Sequence, residues 1–191
     1  VVDIQTNDLS KYLNRLILLG MIKKESSITD IKGTRPLYSI DDNFINFWFS
    51  FCEPYKSNLE IGQLEGPLYH LRKNFNTYVG RRFEELVRRE LIHPLVPFSP
   101  RMVGRFWKKG TEIDIVALDQ KKEKGVFFEV KWSKIDPERE LIDLEKKVEQ
   151  FPWKLKNRKM MIVAKELKYD HPGCIDLEGL IRRVRESSKK N

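Results

Sequence analysis

Asp114, Glu129 and Lys131 are residue types that handle phosphoryl chemistry, and their spacing lets them meet. Glu129 follows Asp114 by fifteen positions, and Lys131 follows Glu129 by two. Carboxylates hold magnesium through oxygen while leaving several waters on the ion. An ion so held activates water and stabilises the charge that develops as a phosphodiester breaks. An ammonium on the same face positions the nucleophile or neutralises the phosphoryl oxygens.

That meeting requires two strands side by side. Residues 112–117 alternate, with Glu112, Asp114 and Val116 on one face and Ile113, Ile115 and Ala117 on the other. Residues 126–132 alternate as well, setting Phe127, Glu129 and Lys131 opposite Val126, Phe128, Val130 and Trp132. The polar connection 118–124 closes on Gly125, so a hairpin puts Asp114, Glu129 and Lys131 on one sheet face. Singly, each has a plainer reading. A lone Glu-x-Lys is usually cross-strand charge pairing on a wet face, and Asp114 alone fits a strand-end cap or an ion-pair partner.

The flanking elements carry further candidates. Residues 80–92 place Phe83, Leu86, Val87 and Leu91 on one helical stripe, with Glu84 beside it and Glu85 pointing away. Glu90 lies within the stripe and competes with Glu84 as a third carboxylate. Residues 137–151 begin on proline and repeat Leu141, Leu144, Val148 and Phe151 at helical spacing. Lys147 and Gln150 there either reach phosphate or form an ordinary solvated face. Residues 159–167, with the run Met160–Ala164, read as a buried strand.

Helix, strand, hairpin strands, helix, strand: this order resembles the PD-(D/E)XK nuclease superfamily, with Asp114 as the first acid and Glu129-Val130-Lys131 as the E-x-K. Ile113 stands where the superfamily's name has proline. Archaeal Holliday-junction resolvases, members of the superfamily, carry a glycine four residues before a metal-site glutamate, the spacing of Gly80 and Glu84. The resemblance implies an α/β (mixed α+β) restriction-endonuclease-like core from about residue 67. It implies Mg2+ or Mn2+ on Glu84, Asp114 and Glu129, Lys131 at the nucleophile, and metal-dependent hydrolysis of DNA. Because fold does not fix function, a non-catalytic DNA-binding, oligomerisation or regulatory module that kept this fold stands as the alternative.

Near the start, Thr6-Asn7-Asp8 can cap a helix carrying Leu9, Leu13, Leu16, Ile17 and Leu19, which stops at Gly20. Met21–Lys24, a polar loop to Gly33 and a returning strand at Arg35–Ile40 then form a two-stranded ribbon. Together these read as the last helix and wing of a partial winged helix-turn-helix domain over residues 1–52, with a linker over 53–66. Asp41-Asp42-Asn43 caps a second helix, Phe44–Phe51, whose aromatic density suits a core or an interface. Lys11 and Arg15 beside Asp8 make a poor base-reading array, so a protein-facing role is favoured. Lys23, Lys24, Lys32 and Arg35 keep a DNA role open. The tandem resembles the C-terminal region of archaeal-type AAA/STAND ATPases, where a winged helix precedes a nuclease-like domain of unknown function. No G-x-x-x-x-G-K-[ST] loop is present, so any ATP site belongs to a domain N-terminal to this sequence. The first residue, Val1, suits a piece of such a longer chain.

Charge sharpens the division. Residues 1–76 hold nine Lys/Arg and nine Asp/Glu, so the whole excess of +8 lies in residues 77–191. Arg81, Arg82, Arg101, Arg105, Lys108 and Lys109 surround the proposed site, and Arg182, Arg183, Arg185, Lys189 and Lys190 end the chain. Such a rim attracts a phosphate backbone in a salt-dependent way. High Lys, Arg and Glu content with four glutamines leans towards a thermophile. Cys52 and Cys174 read as free thiols, no apolar run is long enough to span a membrane, and no signal peptide is visible. A cytoplasmic protein is expected, with DNA and the parent ATPase domain as partners; homodimer formation is an open option, since two-fold pairing is typical when both strands are cut.

Overall fold

The alternating and apolar segments of the second half assemble into one mixed sheet in the computed structural model, which describes residues 6–189. The chain divides into two units. One takes the residues up to Ser26 and then Lys32–Phe75; the other takes Ser27–Ile31 and everything from Asn76 onward.

In the first unit, helix α1 (Thr6–Leu18) stops at Gly20, which adopts a left-handed φ of 70°. Its N–H reaches the carbonyl of Ile17 at 2.9 Å and that of Met21 reaches Leu16 at 3.0 Å, closing the last turn twice. The capping side chains expected at Thr6, Asn7 and Asp8 lie outside the described residues. Strands β1 (Ile22–Glu25) and β2 (Leu37–Ile40) pair antiparallel, with Ile22 opposite Ile40. Asp42 caps α2 (Asn43–Phe47) by accepting the Ile45 N–H at 2.7 Å. A π turn follows at Trp48–Cys52 and splits the aromatic run. Phe51 is buried and stacks on Phe47 and His70, whereas Phe44 and Phe49 are exposed. The stretch 53–66 is largely helical, with a 3-10 turn at Glu53–Tyr55, the helix α3 (Lys56–Glu60) and the first residues of α4 (Glu65–Leu86).

The second unit is built on the sheet order β3-β4-β5-β6-β7. Strands β3 (Met102–Lys108) and β4 (Thr111–Leu118) form a hairpin closed by Lys109 and Gly110, both at positive φ, the pairing that matches strand twist. The long central strand β5 (Lys124–Ile135) runs antiparallel to β4 and parallel to β6 (Asn157–Leu167). Parallel neighbours need a crossover, supplied by α5 (Pro137–Glu149), whose N-cap Asp136 accepts the Arg139 N–H. Strand β7 (Cys174–Asp176) and α6 (Leu177–Ser188) complete the unit.

Side chains alternating across β5 and β6 feed two apolar layers. Phe128, Val130, Met161 and Val163 pack with Phe83 of α4, with Val87 just after it and with Leu180 of α6. Phe127, Ile162 and Ala164 pack with Leu144 and Val148 of α5 and with Phe151. After α4, a π turn at Val87–Leu91 shifts the helical phase, and Leu86, expected on the apolar stripe, stands 48% exposed.

Two irregularities matter for the site. Gly104 faces Val116 and Phe106 faces Ile113, so Asp114 and Ile115 together oppose the single residue Arg105. This bulge breaks the alternation read from sequence: Ile113 packs in the layer with Phe127 and Ile115 in the layer with Phe128. The second is a strap. Ser27–Ile31 lies along the outer edge of β3, where the Ile28 N–H donates to the Arg105 carbonyl at 2.8 Å and Trp107 N–H donates to Ser27 Oγ at 3.2 Å.

Candidate active site

Asp114, Glu129 and Lys131 come together where β4 and β5 part. The register of the two strands runs from Leu118 opposite Gly125 to Ile115 opposite Phe128 and then ends. One position further, the Asp114 side chain takes over from the main chain, its Oδ2 accepting the Val130 N–H at 2.9 Å. The bulge in β4 aims that carboxylate towards β5; bulges commonly re-aim side chains next to functional sites.

Among the described residues of the second unit, Glu129 is one of two buried polar residues, 2% exposed, and each of its oxygens has a lysine. Lys131 Nζ donates to Oε2 at 3.0 Å and Lys147 Nζ donates to Oε1 at 2.8 Å. A buried carboxylate is costly unless paired in this way. Lys147 arrives from α5, three residues after the fully buried Leu144 and one before the buried Val148, so helical spacing keeps it on the sheet-facing side.

Asp114 is different. Burial, then the charge of Glu129, then that of Glu84 push its carboxyl up to about 7, against the weaker downward pull of the Val130 N–H and Lys131. Near neutral pH it therefore holds a proton more readily than an ordinary carboxyl, chiefly because burial disfavours its charged form and next because Glu129 and Glu84 add like charge. For Lys131, burial pulls downward, but Glu129, Asp114 and Glu140 outweigh it and hold the ammonium above its ordinary range.

Glu84 projects from the last turns of α4, and Gly80, one turn earlier, faces β5, where a methyl would make ordinary contact with Trp132 Cβ at 3.4 Å. Glu84 acts on Asp114 through charge, but its own carboxylate pairs with Arg105 at 3.4 Å and Arg88 at 3.6 Å. Glu90 is exposed on the π turn. Among the described residues, no group of three or more His, Cys, Asp or Glu gathers closely enough to hold a metal ion. Asp114 and Glu129 suit magnesium nonetheless, because that ion is commonly held by one or two carboxylates and keeps its waters.

The remaining basic candidates separate. Arg105 is drawn inward between Glu84 and Glu112, and Arg82 pairs with Glu85 at 3.3 Å. Lys108 and Lys109 are exposed at the tip of the β3–β4 hairpin, and Arg81 is exposed on α4. Arg182, Arg183 and Arg185 lie exposed on α6, while Lys190 is outside the described residues. The Lys147–Glu129 contact and the Arg88–Glu84 pair carry no motif; the available signal was their spacing from buried Leu144 and Val87. No described helix is long and apolar enough to cross a membrane.

A family model for archaeal and bacterial proteins of unknown function, DUF234, matches residues 48–149. An uncharacterized protein of Methanocaldococcus jannaschii is 35% identical over 131 residues, which cover 66% of this chain and 29% of that protein. The chain thus spans under a third of the length of that relative. No solved structure matches it.

Proposed function

We propose, for a chain that belongs to the DUF234 family, that residues 67–191 are a metal-dependent DNA endonuclease domain of PD-(D/E)XK type within a larger ATPase. The observation carrying this reading is the Asp114–Glu129–Lys131 arrangement at the parting of β4 and β5, with Asp114 pushed up to about 7 by burial and by the charges of Glu129 and Glu84. The element order α4, β3, β4, β5, α5, β6 supports it. Asp114 and Glu129 would hold Mg2+ or Mn2+, with Glu84 completing the acid set. Bound there, the ion supplies an activated water and stabilises developing phosphoryl charge. Lys131, on the same face, would position the nucleophile or neutralise the phosphoryl oxygens. Arg81, Lys108 and Lys109 offer exposed charge to the DNA backbone. In this reading the first unit, with α1 and the β1–β2 ribbon, is the remnant of a winged helix that faces protein, and ATP binds in a separate domain of the parent chain.

A second reading rests on the lysine pair at Glu129 and the arginine pair at Glu84. Acids already neutralised by the protein also suit a non-catalytic DNA-binding or oligomerisation module. A cleavage assay separates the two, using plasmid, linear duplex, single-stranded and four-way-junction DNA with Mg2+ or Mn2+. Cutting by the wild type that Asp114→Ala and Lys131→Ala abolish, with DNA affinity retained in Asp114→Ala, supports the nuclease. No cutting together with no metal binding selects the module.

A further inference from the structure

Lys147 is held 2.8 Å from Glu129 Oε1, although α5 leaves a third of its side chain exposed. Glu129 is 2% exposed and touches a second ammonium, Lys131, on its other oxygen. Two positive charges on one buried carboxylate leave that pair of contacts with a net positive charge. A divalent ion seeking an oxygen of Glu129 must therefore displace an ammonium or sit beside two. Lys131 is the less movable: it lies on the same strand, two residues away, with its Nζ 3.0 Å from Glu129 Oε2. Lys147 is attached through a flexible stem to α5 and is a third exposed, and among the described residues Glu129 is its one ion-pair partner.

We propose that Lys147 is the resident counter-cation of Glu129, displaced by the divalent ion and thereby released to a phosphate of the nucleic acid. This rests on the metal-site reading above and extends it to the order in which ligands bind. Without a divalent ion, Glu129 keeps its charge satisfied and Lys147 is withheld from DNA. With the ion in place, Glu129 no longer needs Lys147, whose ammonium now stands beside an acid already neutralised. Metal and DNA then favour each other's binding, and by linkage the effect is reciprocal. Lys147 here is a positioning residue acting through Glu129.

Two measurements test this on the full chain. Mn2+ is titrated calorimetrically into the wild type, Lys147→Met, Lys147→Gln and Glu129→Gln, each first checked for folding by circular dichroism. Removing the competitor should tighten Mn2+ binding by about fivefold or more in both Lys147 variants, the lower end of ordinary coupling between sites. Unchanged or weaker binding in both overturns the displacement. Unchanged binding in Glu129→Gln overturns the metal-site reading itself, which is a separate failure. In the second measurement, binding of a short DNA duplex is followed by stopped-flow anisotropy before any strand is cut, across a range of salt. With Mn2+, the salt slope of the wild type should exceed that of Lys147→Met by about 0.9, one phosphate contact. Without Mn2+ the two slopes should agree. Equal slopes in Mn2+ overturn the hand-over to phosphate.

Discussion

Asp114 is bound to Val130 through its side chain rather than its main chain: the Val130 N–H donates to Asp114 Oδ2 at 2.9 Å, just past the last register pair of β4 and β5. The carboxylate thus does the work of a ladder carbonyl while sitting among like charges from Glu129 and Glu84. The strands stay joined at the point where they begin to separate.

The same position sets a pH dependence. Burial and the neighbouring acids raise Asp114 from 3.8 to about 7, so the folded chain keeps a proton that the unfolded chain has lost. Its contribution is most favourable below about pH 4 and is lost as pH rises towards 7. Asp114→Asn retains an acceptor for Val130 and has no charge to bury. Urea unfolding at pH 5 and pH 8 should show the wild type losing on the order of 2–4 kcal/mol relative to Asp114→Asn. Parallel behaviour of the two proteins would mean Asp114 titrates normally.

Glu84 and Glu90 make opposite predictions. Glu84 raises Asp114 through its charge, whereas Glu90 is exposed on the π turn. Glu84→Gln should slow metal-dependent cleavage by about 10²-fold or more, the scale of losing one charge-stabilising group, and Glu90→Gln should cut at the wild-type rate. Initial rates on the best DNA substrate decide between them, and a slow Glu90→Gln would move the third acid to the π turn.

Phe127 anchors the layer beneath α5, fully buried and edge-on to Phe151 at 5.1 Å. Phe127→Ala should cost about 3–5 kcal/mol in chemical denaturation of the second unit.

Gly20 stands at a φ of 70° with open space around its Cα. A side chain there meets no neighbour, so the cost is in the backbone alone. Gly20→Ala should destabilise the first unit by about 1 kcal/mol, and Gly20→Asn by less, in thermal melts followed by circular dichroism.

Much of this architecture was legible because long segments obey one period. Alternation in β4 and β5, the leucine spacing of α5 and the apolar run of β6 each match an element, with ends displaced by a few residues. Legibility failed where an extra residue enters the backbone. The β4 bulge sends Ile113 and Ile115 to opposite layers, and a π turn follows α4 directly. Neither insertion has a residue-type signature in the sequence. Alternation predicts Asp114, Glu129 and Lys131 on one face, whereas in the structure the bulge at Asp114 is what brings its carboxylate to β5. The lysine clasp on Glu129 has no such signal, because it joins a strand to a helix 18 residues away.

The Ser27–Ile31 strap has a practical corollary for anyone excising the second half. A fragment beginning at residue 67 lacks Ile28, which is 7% exposed and packs beside Gly104, and leaves the Arg105 carbonyl and Trp107 N–H without their partners. Open strand borders recruit other chains. Such a fragment would assemble border to border through β3, and an oligomer seen in it would report the missing strap, not the habit of the whole protein.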